Sequence, residues 1–202
     1  MIVSHRHRFV FIKTRKTAGT SIEVFLLQVC ASDDILTPIE PHVEPHVARN
    51  CEGYFNHIAA HEVRRRIGSD VWRSYYSFAV ERNPWDKTLS YYHMMNHLKG
   101  GTLTFDDYLA GGDFCVDHPA YTEPGRPQAL MVNRVLRYEN LQQELAEVFR
   151  RLGIPYTGSL GVNAKSEYRT NRRPYREVYT AAQARLVEVA FTQEIELFGY
   201  SF

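Results

Sequence analysis

The stretch RFVFIKTRKTAGTSIEVFLLQV, Arg8 to Val29, decides the reading of this chain. Phe9 to Ile12 are consecutive apolar residues, too few for a helix and rich in strand-favouring types, so they predict a buried strand. A small, polar, basic loop follows from Lys13 to Ser21. Ile22, Phe25, Leu26 and Val29 then recur at i, i+3, i+4 and i+7, one face of a helix. Thr20 and Glu23 stand at capping-box spacing and predict that the helix starts near Thr20. A strand, a short loop and a helix in this order make an anion site. The first amides of a helix lack intrahelical acceptors, and the helix dipole adds positive potential there. Gly19 permits close backbone approach. Thr17, Thr20 and Ser21 offer hydroxyls, and Lys13, Arg15 and Lys16 offer charge. A capped helix behind a basic surface loop is the plain alternative, but this density of cations and hydroxyls beside a buried strand favours the anion site.

A second stretch repeats the logic. Tyr75 to Val80, YYSFAV, predicts another strand, running into Glu81, Arg82 and Asn83. Asn83 suits an N-cap, Pro84 the first helical position and Asp86 the first turn, with the helix continuing to Gly100 and Gly101. Arg82 stands at the turn, with Ser90 eight positions on. Arg can grip phosphate in bidentate fashion and Ser can add a donor. Glu81 could orient the Arg82 guanidinium or compete with phosphate for it. An Arg paired to a carboxylate at a strand end is the plain alternative.

The loop departs from the nucleotide-kinase P-loop, whose Lys follows its last Gly. Here Lys16 precedes Gly19. The run KTAGTS, Lys16 to Ser21, resembles the 5′-phosphosulfate loop of sulfotransferases that use 3′-phosphoadenosine 5′-phosphosulfate (PAPS). FAVERNPWDKTLSYY, Phe78 to Tyr92, resembles their 3′-phosphate motif. RYENL (137–141), LGIP (152–155) and the terminal FGYSF are also similar. The likeness is greatest to the carbohydrate-type family, with its heparan and chondroitin sulfotransferases and short bacterial relatives. Many of those have Pro where this chain has Arg15. The resemblance implies a P-loop-like sulfotransferase fold and a PAPS donor held by Arg15, Lys16, Thr17, Ala18, Gly19, Thr20, Ser21, Arg82 and Ser90. It implies Lys16 as a catalytic cation, no metal, and a hydroxyl acceptor on a carbohydrate or glycolipid. A His before a short helix serves as general base in that family. His57 matches that place best, with His61 the second candidate. An ordinary imidazole pKa of about 6.5 suits removal of a hydroxyl proton near neutrality. From the residues alone, a lone His is more often structural.

Strands alternating with helices predict an α/β fold, a mainly parallel sheet flanked by helices. The expectation is one domain over residues 1–202. Ala59 to Ile67 predicts a helix stopped by Gly68, Thr104 to Ala110 a short capped helix, Asn133 to Tyr138 a strand, and Leu141 to Leu152 an amphipathic helix stopped by Gly153. Ala31 to Tyr54 reads as irregular, and Ala110 to Gln128 as a loop lining the acceptor cleft. Thr180 and Gln183 predict a capping box for a helix running to about Phe198. The cations Lys165, Arg169, Arg172, Arg173 and Arg176, interleaved with Tyr168 and Tyr175, suggest a lid over the cofactor, formed by Lys165, Tyr168, Arg169 and Arg172. A solvated basic loop is the competing reading.

The net charge of +1 gives no support to coating a polyanion, and no nucleic-acid module is recognisable. Cys30, Cys51 and Cys115 are odd in number and form no CxxC, against a disulfide scaffold or zinc knuckle. The pair His42 and His46 is interrupted by Pro45, and HExxH fails at Arg65, so no metal site is expected. With no leader-like segment and no apolar run approaching about 18 residues, the chain reads as soluble and cytoplasmic. Oligomeric state is not legible. A kinase of P-loop type and a non-catalytic anion-binding module are the rival functions.

Overall fold

The computed structural model describes residues 1–161, 168 and 173–202. The sheet has five strands in the order β3-β1-β2-β4-β7. These are β1 (Ile2–Ser4), β2 (Phe9–Ile12), β3 (Ile35–Leu36), β4 (Tyr76–Glu81) and β7 (Arg134–Arg137). The β2–β4 and β4–β7 pairs are parallel, with Ile12 opposite Ala79 and Glu81 opposite Arg137. β1 pairs antiparallel with both β2 and β3. The parallel half carries the predicted strands. The antiparallel half grows out of Met1 to Ser4 and of the segment read as irregular, where Ile35–Leu36 joins the edge and Leu36 bridges to Arg49.

Both faces of the sheet are covered, which explains why FVFI and SFAV are continuous apolar runs rather than alternating ones. On one face Phe9, Phe11, Phe78 and Val80 pack with Ile22 and Leu26 of α1 (Gly19–Leu27) and Leu145, Val148 and Phe149 of α7 (Leu141–Leu152). On the other, Val10, Ile12 and Ala79 meet Val63 of α2 (Ala60–Ile67), Trp72 of α3 (Ser69–Ser74) and Tyr121 of α6 (His118–Tyr121). A third cluster gathers Trp85 and Leu89 of α4 (Pro84–Leu98), Tyr108 of α5 (Phe105–Ala110), Val187 of α8 (Ala181–Ala190) and Phe191. Between α6 and β7 the chain forms a hairpin, β5 (Thr122–Glu123) with β6 (Arg126–Leu130).

Several helix ends match their local chemistry. Asn83 Oδ1 accepts from the Trp85 and Asp86 amides ahead of Pro84. Thr180 and Gln183 form the reciprocal capping box. The helix expected to reach Phe198 is interrupted at Phe191 (φ −106°, ψ 26°) and resumes as α9 (Thr192–Phe198). Phe191 is fully buried, and the Thr192 hydroxyl bonds back to the Val189 carbonyl at 2.9 Å, so packing and a side-chain bond override the helical pattern. Among the described residues no helix is long and apolar enough to cross a membrane.

Candidate active site

The two parallel strands β2 and β4 end side by side, and the loops that follow them form the floor of one cleft of about 840 Å³. It is lined by the whole run Lys13 to Ser21, by His57, by Arg82, Asp86 and Ser90, and by Tyr91, Met94, Tyr138, Tyr168 and Tyr175. Clefts at the carboxyl ends of parallel strands are where α/β proteins bind ligands. The cleft brings together all the predicted donor-binding residues from Arg15 to Ser21, with Arg82, Ser90, His57 and Tyr168. Lys165, Arg169 and Arg172 lie outside the described residues; of the expected lid Tyr168 lines the cleft, as do Arg173 and Tyr175 of the same basic run.

The loop is built differently from the sequence expectation. Helix α1 starts at Gly19, and the residue before it, Ala18, is left-handed (φ 61°) and provides no side-chain cap. The Thr20–Glu23 capping box is not made. Glu23 is buried and its carboxylate takes the Lys13 ammonium at 2.6 Å and the Met1 amino group. A buried carboxylate and a buried lysine each need a partner far more than a helix amide that a ligand can serve. Thr17 also turns inward, its hydroxyl lying 2.8 Å from that of Thr14, which donates to the Val80 carbonyl. Lys16 and Ala18 both have positive φ, 59° and 61°, a local geometry that turns successive amides to one side and suits an anion. Gly19 is required by crowding: a Cβ there would stand 2.7 Å from Lys13 Cγ.

The three loop cations therefore have separate fates. Lys13 is paired with Glu23. Arg15 donates from its amide and Nε to Asp117, each at 2.8 Å, and from Nη2 to the Val116 carbonyl. Lys16 extends into the cleft, its Nζ 3.6 Å from Met94 Sδ and 5.4 Å from the Tyr168 ring centre.

Arg82 is tied to the same loop. Its Nη1 donates to the Lys16 carbonyl at 3.0 Å, Nε and Nη2 donate to Asp86, and the guanidinium lies 4.2 Å over the Tyr138 ring. Glu81 neither orients that guanidinium nor competes for it. It turns inward, accepting from the Arg82 amide, from Lys87 Nζ at 2.7 Å and from the Tyr121 hydroxyl at 2.9 Å. Burial, partly offset by Lys87, raises the Glu81 carboxyl to about 7. Sequence reasoning missed Asp86, Tyr138 and Asp117. Asp86 was findable, four residues beyond Arg82 on a helix. Tyr138 lies in the RYENL run, whose likeness says nothing of a contact with Arg82, and Asp117 comes from a distant segment with no local signal.

His57 lies three residues before the start of α2, with a left-handed backbone, φ 61°. Its Nδ1 is 3.1 Å from the Lys13 carbonyl, which can only accept, so Nδ1 carries the proton and Nε2 keeps its lone pair. Burial first, then the Lys13 charge, lowers its pKa to about 4. His61 is exposed on α2 and does not line the cleft. His46 bonds the Thr37 carbonyl and His42 pairs with Glu44. The segment expected to line an acceptor cleft, 110–128, instead holds α6, β5 and the first part of β6, and it meets the phosphate loop from behind, through Val116 and Asp117.

A second cavity of about 660 Å³ opens beyond Ala18, Ser21 and Tyr138 and is lined also by Asn140, Gln142, Gln143 and Tyr156. The Tyr156 hydroxyl is buried there with no partner among the described residues.

No family model matches the chain. An uncharacterized protein of Archaeoglobus fulgidus is 29% identical over 108 residues, spanning 52% of this chain and 90% of that protein. Among solved structures, mouse sulfotransferase SULT7A1 complexed with PAP superposes with a TM-score of 0.57 at 14% identity, covering 96% of this chain and 86% of that one. A sulfotransferase from Alicyclobacillus acidocaldarius gives 0.46 at 15% identity, covering 96% of each chain. At such identity the likeness to SULT7A1 is one of architecture: the chain has the sulfotransferase fold.

Proposed function

We propose that this chain transfers a sulfuryl group from PAPS to a hydroxyl of an acceptor. The observation that carries the reading is the union, on one cleft, of the left-handed loop bearing Lys16, the Arg82–Ser90 pair and a neutral His57. The donor set fits the nucleotide. The loop amides and Lys16 suit a 5′-phosphosulfate, and Arg82 with Ser90 suits a 3′-phosphate, which ATP lacks. The second cavity, lined by Asn140, Gln142 and Gln143 beside the phosphate loop, suits the adenine ring. PAPS complements these residues chemically: it supplies the sulfuryl group on a phosphate leaving group.

The chain's own residues then have distinct tasks. His57 Nε2 accepts the acceptor's hydroxyl proton, its tautomer fixed by the Lys13 carbonyl. Lys16 and the loop amides neutralise negative charge where it develops. Asp86 and Tyr138 hold the Arg82 guanidinium in place before a ligand arrives, which lowers the ordering cost of binding. The motif likeness to the carbohydrate-type family supports a sugar hydroxyl as acceptor, and the Tyr91, Tyr168 and Tyr175 rings offer faces that suit a sugar ring.

Calorimetric titration without magnesium tests the reading. Adenosine 3′,5′-bisphosphate is expected to bind at least about tenfold more tightly than 5′-AMP or ATP, because the 3′-phosphate adds charged hydrogen bonds. Arg82→Ala is expected to remove about 10- to 100-fold of that affinity. Stronger, magnesium-dependent ATP binding would put a kinase in its place. Tight bisphosphate binding with no turnover on any acceptor would leave a binding module.

A further inference from the structure

Behind the cleft lies a buried ionic chain that the proposed chemistry does not use. Asp117 is at its centre. One carboxylate oxygen, Oδ2, accepts from the Arg15 amide and from Lys87 Nζ at 2.9 Å, and the other, Oδ1, accepts from Arg15 Nε at 2.8 Å. Lys87 is fully buried and also holds Glu81. The Asp117 amide donates to Glu194 Oε1 of α9 at 3.1 Å, and Glu194 is fully buried as well. The neighbouring Val116 carbonyl takes Arg15 Nη2. Burial works against the Asp117 charge, but Lys87 and Arg15 outweigh it and hold the carboxyl below its ordinary range.

The position of this clasp gives it meaning. Arg15 immediately precedes Lys16, the first left-handed residue of the loop. A residue at that turn must hold a backbone conformation that L side chains disfavour, and it persists only where surrounding bonds over-determine it. Asp117 fixes the amide and the side chain of the residue on one side, and Arg82 fixes the Lys16 carbonyl on the other. We propose that Asp117 is a positioning residue for the phosphate loop: by clasping Arg15 at both amide and guanidinium it holds the Lys16 turn in its anion-binding shape. Arg15 thereby acts as a strut for the turn. The proposal rests on the loop being the 5′-phosphate site, as argued above.

The test uses two variants of the full chain, Asp117→Asn and Arg15→Lys. The Arg15 side chain is 30% exposed, so Arg15→Lys keeps the charge, loses the forked geometry and carries the test should Asp117→Asn fail to fold. Each is expected to weaken adenosine 3′,5′-bisphosphate about tenfold, the cost of one well-made charged hydrogen bond. Adenosine 3′-monophosphate, which does not use the loop, is expected to bind as to the parent. The double variant is expected to lose no more than Asp117→Asn alone, since Arg15→Lys breaks only the side-chain half of the same clasp and leaves its amide bond. Hydrogen exchange of the 15–19 amides in ligand-free protein is expected to quicken in both variants while β4 stays protected. Equal weakening of both nucleotides would reveal general damage and overturn the proposal. So would unchanged bisphosphate binding by Arg15→Lys, or additive losses. If the parent binds neither nucleotide, the sulfotransferase reading fails separately. Loop exchange still decides the clasp in that case, and unchanged exchange overturns it.

Discussion

Lys16→Ala is expected to lower turnover by about 10²- to 10³-fold, the range for loss of one preorganised group facing developing charge. Two nearby cations cannot substitute for it. Lys13 is locked on Glu23 beneath the helix start, and Arg15 is locked on Asp117. The charge that the loop presents to the cleft therefore depends on Lys16 far more than the triplet Lys13, Arg15, Lys16 suggests. Alanine brings no new backbone difficulty, because lysine already bears the positive φ at this position. The Lys16 carbonyl that receives Arg82 also remains. The melting temperature is thus expected to stay within a few degrees, and the affinity for adenosine 3′-monophosphate to stay at the parent's value. Lys16→Arg, which keeps a charge but not its compact shape, is expected to fall between the two. Steady-state kinetics of Lys16→Ala with saturating donor decide the matter. A rate within twofold of the parent's would remove Lys16 from the chemistry.

Why the loop cations had to be reassigned shows what this sequence can and cannot reveal. The strand–loop–helix units are written locally: apolar runs of strand length, Asn83 and Pro84 at a helix start, Gly68 and Gly153 at helix ends. Local signals therefore found β2, β4, α2, α4 and α7 to within a residue or two. Pairing across the chain has no such signature. Asp117 meets Arg15 across 102 positions, and Glu81 meets Tyr121 across 40. Glu23 stands at cap spacing, but spacing reports the helix and not the buried lysine that claims its carboxylate. β1 was hidden for a different reason. Ile2 to Ser4 is too short to show a period, and it becomes a strand only because the edges of β2 and β3 are there to pair with. The residues facing the cleft were legible because their chemistry is unusual for a loop. The residues that hold them were not, because a buried carboxylate reads in sequence like any exposed one.

Replacing His57 by alanine is expected to cost about 10²- to 10⁴-fold in kcat, the usual span for a general base. KM for the donor should hardly change, since in the proposed mechanism the imidazole meets the acceptor hydroxyl and not the phosphates. The pH profile of the parent is the sharper test. With burial and the Lys13 charge lowering the pKa to about 4, His57 is neutral throughout the physiological range. Protonation removes the Nε2 lone pair, so activity is lost as pH falls through the folded-state value. The acid limb of kcat/KM is therefore expected near pH 4 to 5, two units below the ordinary imidazole value of about 6.5. Removing the cause should move the limb in a known direction. Lys13→Met takes away a positive charge near the ring and should raise the His57 pKa, shifting the acid limb upward, although Glu23 is then left to the amino group alone. An acid limb already at 6.5 in the parent would mean that His57 is solvated in the working enzyme. A profile with no acid limb above pH 4, together with undiminished kcat in His57→Ala, would mean that the proton leaves by another route.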